Sequence, residues 1–233
     1  SAISGNQMTV KAGALAVSVS GLPSAKTVIA GQKQFEFAKY IFDAGQSGED
    51  LRVTSFPLLL AVTGSVAATD VTNCQLYDGS TSLTTGSNVK NPSAVGDNTF
   101  TFDGTGLVLP KGSSKTISLK CDLSGSASSG SVQWGLTGTN VTSVSGLTSG
   151  QTITETQTAA PGQIMTAATS GAYTVAADTS SAYNYRAVSS GSEVALAAFR
   201  FTASASEDLT LKQIAFQLGN TASNSPTDLE DTR

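Results

Sequence analysis

FEFAKYIFDAGQSGEDLRVTSFPLLL, residues Phe35 to Leu60, is answered later in the chain by VALAAFRFTASASEDLTLKQIAFQL, residues Val194 to Leu218. Glu49-Asp50-Leu51 falls on Glu207-Asp208-Leu209, an offset of 207 − 49 = 158. One residue is dropped in the turn before the acidic pair, so Tyr40 answers Phe199 and Phe42 answers Phe201. Upstream, Gly5-Asn6-Gln7-Met8-Thr9 answers Gly162-Gln163-Ile164-Met165-Thr166, and Gly13-Ala14 answers Gly171-Ala172. Downstream, Thr69-Asp70 answers Thr227-Asp228. A period of this length is a whole domain, not a solenoid unit. The expected organisation is a linker or first strand over 1–13, a β-sandwich repeat over 14–160, and the N-terminal part of a second repeat over 161–233. Arg233 matches Gln75 of the first copy, so the expectation is that the natural protein continues beyond it. Ser1 already lies inside the repeat pattern, and the N-terminus reads as cut or processed.

Inside these stretches the apolar residues alternate, as they do on a strand with one buried face. The alternation also changes phase. Phe35 and Phe37 occupy odd positions, then Tyr40 and Phe42 even ones; Leu51 and Val53 give way to Phe56, Leu58 and Leu60. The second copy switches at the matching places. A strand that changes face in mid-run needs one extra residue, so the pattern predicts a β-bulge near Ala38/Lys39 and another near Thr54/Ser55, both recurring in copy two. Further alternating runs are Leu15-Val17-Val19, Phe100-Phe102, Leu107-Leu109, Ile117-Leu119-Cys121-Leu123 and Val132-Trp134-Leu136. Asp78-Gly79, Asp103-Gly104 and Lys111-Gly112 punctuate them as turns. Helical periodicity is missing throughout, and regular short strands between turn clusters point to an all-β sandwich.

Composition sets the outer bounds. Charged residues are 13 %, about half the usual share, while 39 % hydrophobic residues in alternating order are enough to build a core. A net charge of −4 without a basic stripe argues against nucleic acid. The longest apolar run, Leu58 to Val62, is far too short to span a membrane as a helix. With no histidine, a Ser-His or Cys-His dyad and an imidazole metal ligand are excluded. The acids sit in turns beside strands, which gives no reason to place a glycosidase pair. The expectation is a protein that is not an enzyme.

The string Gly13, Ala30-Gly31, Phe35, Phe42, Glu49-Asp50-Leu51, Leu76-Tyr77-Asp78-Gly79 and Leu119-Lys120-Cys121-Asp122-Leu123 is similar to the Ig-like repeats of long cell-surface proteins from small-genome candidate-phyla bacteria. Some of those proteins behave as surface layers. The resemblance covers nearly the whole chain and rests on core and turn residues. It implies tandem Ig-like β-sandwich domains, one complete and one incomplete here, secreted to the cell surface as a coat, stalk or filament. Implied partners are other copies of the same protein or further repeats of the same chain. Fold-level likeness does not fix function by itself.

Four features remain as candidate sites. Cys74 shares a face with Leu76, and Cys121 shares one with Ile117, Leu119 and Leu123, so both thiols should point inward. The favoured reading is an intradomain disulfide closing a long loop, worth roughly 2–4 kcal/mol; the alternative is a pair of buried free thiols. Thr232 stands where the first copy has Cys74, so such a bridge is an addition to the fold and not a requirement of it. The recurring Glu49-Asp50 pair is weighed against calcium, but no calcium-loop spacing is present and a solvated or capping turn is favoured. Tyr183 and Tyr185 form the densest aromatic group and are the place to look for a glycan, which would make the chain an adhesin or carbohydrate-binding module; cross-strand packing is the plainer reading. Asn140-Val141-Thr142 matches a glycosylation acceptor.

Overall fold

The computed structural model describes residues 5–138, 142–180, 193, 195–204 and 208–217. It is nearly all β, as the alternation predicts. Its contacts fall into two compact units, one ending at Tyr173 and the other beginning at Thr174.

Among its described residues the first unit holds thirteen strands. They are β1 (Ala16–Val19), β2 (Lys26–Ile29), β3 (Phe35–Asp43), β4 (Leu51–Gly64), β5 (Val71–Asp78), β6 (Thr81–Ser82) and β7 (Gly96–Thr101). After these come β8 (Leu107–Leu109), β9 (Ser114–Leu123), β10 (Gly130–Gly135), β11 (Ser143–Gly146), β12 (Thr156–Gln157) and β13 (Met165–Ala168). One sheet runs β12-β1-β3-β9-β5-β6; the other runs β11-β4-β10-β13-β2, with β7 and β8 also paired to β4. Leu59 of β4 faces both Gly135 and Asp97, so the long strand is paired along both edges.

Both sheets turn their alternating apolar residues into one core. Val17, Phe37, Tyr40, Phe42, Leu76 and Leu119 come from the first sheet, and Val53, Phe56, Leu58, Leu60, Phe100 and Trp134 from the second; all are buried in a single cluster. The Tyr40 ring meets Phe56 edge-on at 5.2 Å, and Phe100 meets Trp134 at 5.9 Å. The Tyr40 hydroxyl donates to the Trp134 carbonyl at 3.2 Å, so a hydrogen bond crosses between the sheets inside the core. Burial pushes the Tyr40 hydroxyl pKa well above the usual phenol value, so it stays a neutral donor.

The phase switches have a backbone cause. Between β3 and β9 the register shifts from Glu36↔Lys120 to Ala38↔Leu119, leaving Phe37 as the extra residue, one position before the predicted place. Between β4 and β11 it shifts from Ser143↔Ser55 to Val144↔Val53, leaving Thr54 as the extra residue. Each bulge returns the strand to the core face after two consecutive inward or outward positions. A third bulge was not foreseen. Thr72 faces Asp122 and Gln75 faces Lys120, so Asn73 and Cys74 together stand opposite Cys121.

β14 (Tyr173–Ala177), of which all but the first residue belongs to the second unit, pairs with β15 (Phe199–Ala203). Ala197 and Ala198, which match Ala38 and Lys39, precede the first residue of β15, so no ladder bulge is formed there. The division between units also differs from the joint at 160/161 read from the repeat. Met165–Ala168, the opening of the second copy by sequence, is an interior strand of the first unit. Sequence similarity marks where a repeat begins, while backbone pairing decides which sandwich a strand completes.

Candidate functional site

Cys74 and Cys121 lie at the third bulge, both fully buried, and their sulfurs are bonded at 2.07 Å across a separation of 47 residues. The bond ties β5 to β9 where the ladder between them is interrupted. Beside it, Asn73 adopts φ +51 and Gln34 φ +50, and Asp122 accepts from both. The Gln34 N–H reaches Asp122 Oδ1 at 2.7 Å, the Asn73 Nδ2 reaches Oδ2 at 3.3 Å, and Lys33 Nζ lies 3.4 Å from the same oxygen. Burial raises the Asp122 pKa, but these three donors together outweigh it and hold the carboxyl below its ordinary value.

Glu49-Asp50, the motif that recurs in the sequence, is bonded to donors from two other loops. Glu49 accepts from the Ser149 hydroxyl at 2.7 Å and from the Ser149 and Thr148 N–H groups at 2.8 and 2.9 Å. Asp50 Oδ1 accepts from the Lys111 N–H at 2.8 Å, and the Asp50 carbonyl accepts from Leu147. Two neighbouring carboxylates thus fasten two loops that are remote in sequence to the start of β4. The bonds from Ser149 and Thr148 outweigh partial burial and lower the Glu49 pKa. Asp103 is lowered in the same way, by the Thr85 hydroxyl and the Asn88 amide. A carboxylate kept ionised by backbone and hydroxyl donors is a poor general acid, and its lone pairs are already engaged. Among the described residues no group of three or more His, Cys, Asp or Glu side chains converges as a metal site would require. Among the described residues no helix is long and apolar enough to cross a membrane.

Tyr183 and Tyr185 lie outside the described residues, as do Asn140 and Val141 of the acceptor tripeptide. Thr142 is buried, and its N–H donates to Glu155. Trp134 is wholly buried, packed against Phe100, and presents no face to a sugar.

Two exposed surfaces stand out instead. In the second unit, Phe199, Phe201, Leu209, Leu211, Ile214 and Phe216 are all exposed, although their counterparts Tyr40, Phe42, Leu51, Val53, Phe56 and Leu58 are the buried core of the first unit. Phe199 and Phe216 rest against each other at 5.1 Å. At the other end, Gly5 to Lys11 is exposed and has no strand partner among the described residues. The alternation that identifies these stretches was plain in the sequence. Their exposure was not, because periodicity names an inner face without naming what covers it.

No protein-family model matches the chain, and no curated protein is significantly similar to it.

Proposed function

We propose that this protein is a structural component of the cell surface, a tandem β-sandwich array that forms a surface layer, stalk or extracellular filament. The observation that carries the reading is the repeat of a core. The side-chain pattern that builds the interior of the first unit returns at Phe199 to Phe216 as an exposed apolar surface. Exposed apolar side chains of that kind mark an interaction site, and the first unit gives the type of cover that fits them, which is more sandwich of the same repeat. The acids support the same reading, since Glu49, Asp50, Asp103 and Asp122 all serve to hold loops and strands of their own unit. The Cys74–Cys121 bond is compatible with an oxidising, extracellular compartment.

Negative-stain electron microscopy and sedimentation of the purified chain test the proposal, together with the same imaging of native surface material. Ordered lattices or filaments with a spacing of one sandwich are the expected result. Monodisperse particles that bind a glycan on an array would overturn it in favour of a carbohydrate-binding module.

A further inference from the structure

The two copies of one short motif meet opposite fates in this fold. Gly162-Gln163-Ile164-Met165-Thr166 leads into β13, which lies between β2 and β10, parallel to the first and antiparallel to the second. Met165 faces Val132 on one side and Lys26 on the other, and among the described residues β2 pairs in its sheet with β13 alone. Met165 and Ala167 point into the core at 0 % and 1 % exposure. Gly5-Asn6-Gln7-Met8-Thr9, the matching motif, is unpaired, with Met8 and Val10 exposed to 87 % and 95 %. Met8 and Val10 stand two residues apart, the spacing that puts side chains on one face of a strand.

The glycine that opens the motif gives an independent argument. Gly162 has φ +77, and a Cβ there would stand 2.1 Å from the Trp134 carbonyl oxygen, so the entry to the slot admits only glycine. Gly5 has open space around it and no local reason to lack a side chain. Its identity makes sense where the segment makes the same entry on another sandwich.

We infer that Gly5–Lys11 is a closing strand for another sandwich of this repeat, seated between the equivalents of β2 and β10 with Met8 in the place of Met165 and Val10 in the place of Ala167. The inference rests on the tandem-array proposal and deepens it. The segment that opens the repeat pattern then completes the sheet of another sandwich. Main-chain hydrogen bonds on both sides supply affinity and the alternate side chains supply register, as in other cases of strand addition.

The test uses the full chain carrying Met165→Asp, which puts a carboxylate into the core and loosens its own closing strand. A peptide of residues 5–13 is added at saturating concentration, beside the same peptide with Met8→Asp and a peptide of residues 162–171 as the positive control. The expected result is a rise in the thermal midpoint of about 5 °C with the first peptide, none with its Met8→Asp form, and a rise with the control. Rescue by the control alone overturns the inference but leaves the array proposal standing, because repeats can assemble without sharing strands. A second chain decides the matter if Met165→Asp does not fold or if neither peptide acts. In it, residues 162–168 are replaced by 5–11 through Gln163→Asn, Ile164→Gln, Ala167→Val and Ala168→Lys. This graft should melt in one cooperative transition about 5 °C below the parent, the loss reflecting the larger residue at 167. A graft as unstable as Met165→Asp would refute the inference.

Discussion

Reducing the Cys74–Cys121 bond should destabilise the first unit without abolishing its fold. The bond closes a loop of 47 residues. For a loop of that size the chain-entropy relation gives about 4 kcal/mol, since freeing it restores conformations to the unfolded ensemble. The native state adds a smaller cost, because two thiols in van der Waals contact need more room than a covalent pair in a close-packed core. Against this, β5 and β9 stay joined by ladder pairs on both sides of the bulge, from Val71↔Leu123 to Asp78↔Ile117. For a unit of this length 1 kcal/mol corresponds to about 2–4 °C, so the thermal midpoint should fall by about 8–16 °C. Calorimetry with and without a phosphine reductant measures the shift, with thiol titration to show that the bond has opened. A Cys74→Ala/Cys121→Ala chain should melt at least as low as the reduced protein, since it also loses buried sulfur volume. A fully reduced protein melting within about 2 °C of the oxidised one would refute the argument, because the loop would then have to be constrained already in the unfolded chain.

Two further outcomes are specific to this fold. Gly162→Ala should lower the midpoint by about 5 °C or more, because it combines a left-handed backbone with a Cβ against the Trp134 carbonyl, whereas Gly5→Ala should leave the isolated chain unchanged; equal effects from the two would contradict the reading of the slot. Urea midpoints between about pH 7 and pH 3 should be level at first and then fall with acid. Glu49, Asp103 and Asp122 all have folded-state pKa values below their ordinary ones, so their stabilisation is fully present above the unfolded values near about 4 and is lost as the pH drops through the folded values. Asp122→Asn should flatten that acid limb; an unchanged slope would show that the hydrogen bonds from Gln34 and Asn73 carry no preference for the ionised form.

Period-2 alternation determined the all-β architecture from the sequence alone, since only a strand places every second side chain on one face. The same argument located the bulges, because a phase change in the pattern has to be matched by an extra residue in the ladder. Thr54 sits where it was expected and Phe37 one residue early, for the buried pair Phe37-Ala38 takes up the switch before Lys39 returns toward solvent. The inward position of Cys74 and Cys121 was legible too, but their approach across a third bulge depends on Asn73 at positive φ, and no alternation reports that. The Glu49-Asp50 motif could be recognised as recurrent, yet its work of fastening Thr148, Ser149 and Lys111 is made of contacts up to 100 residues apart. The repeat itself shows the division most clearly. The sequence shows that Gly162–Thr166 matches Gly5–Thr9. Tertiary structure alone decided that the later segment closes the unit before it, because a strand belongs to whichever sheet pairs its backbone on both sides.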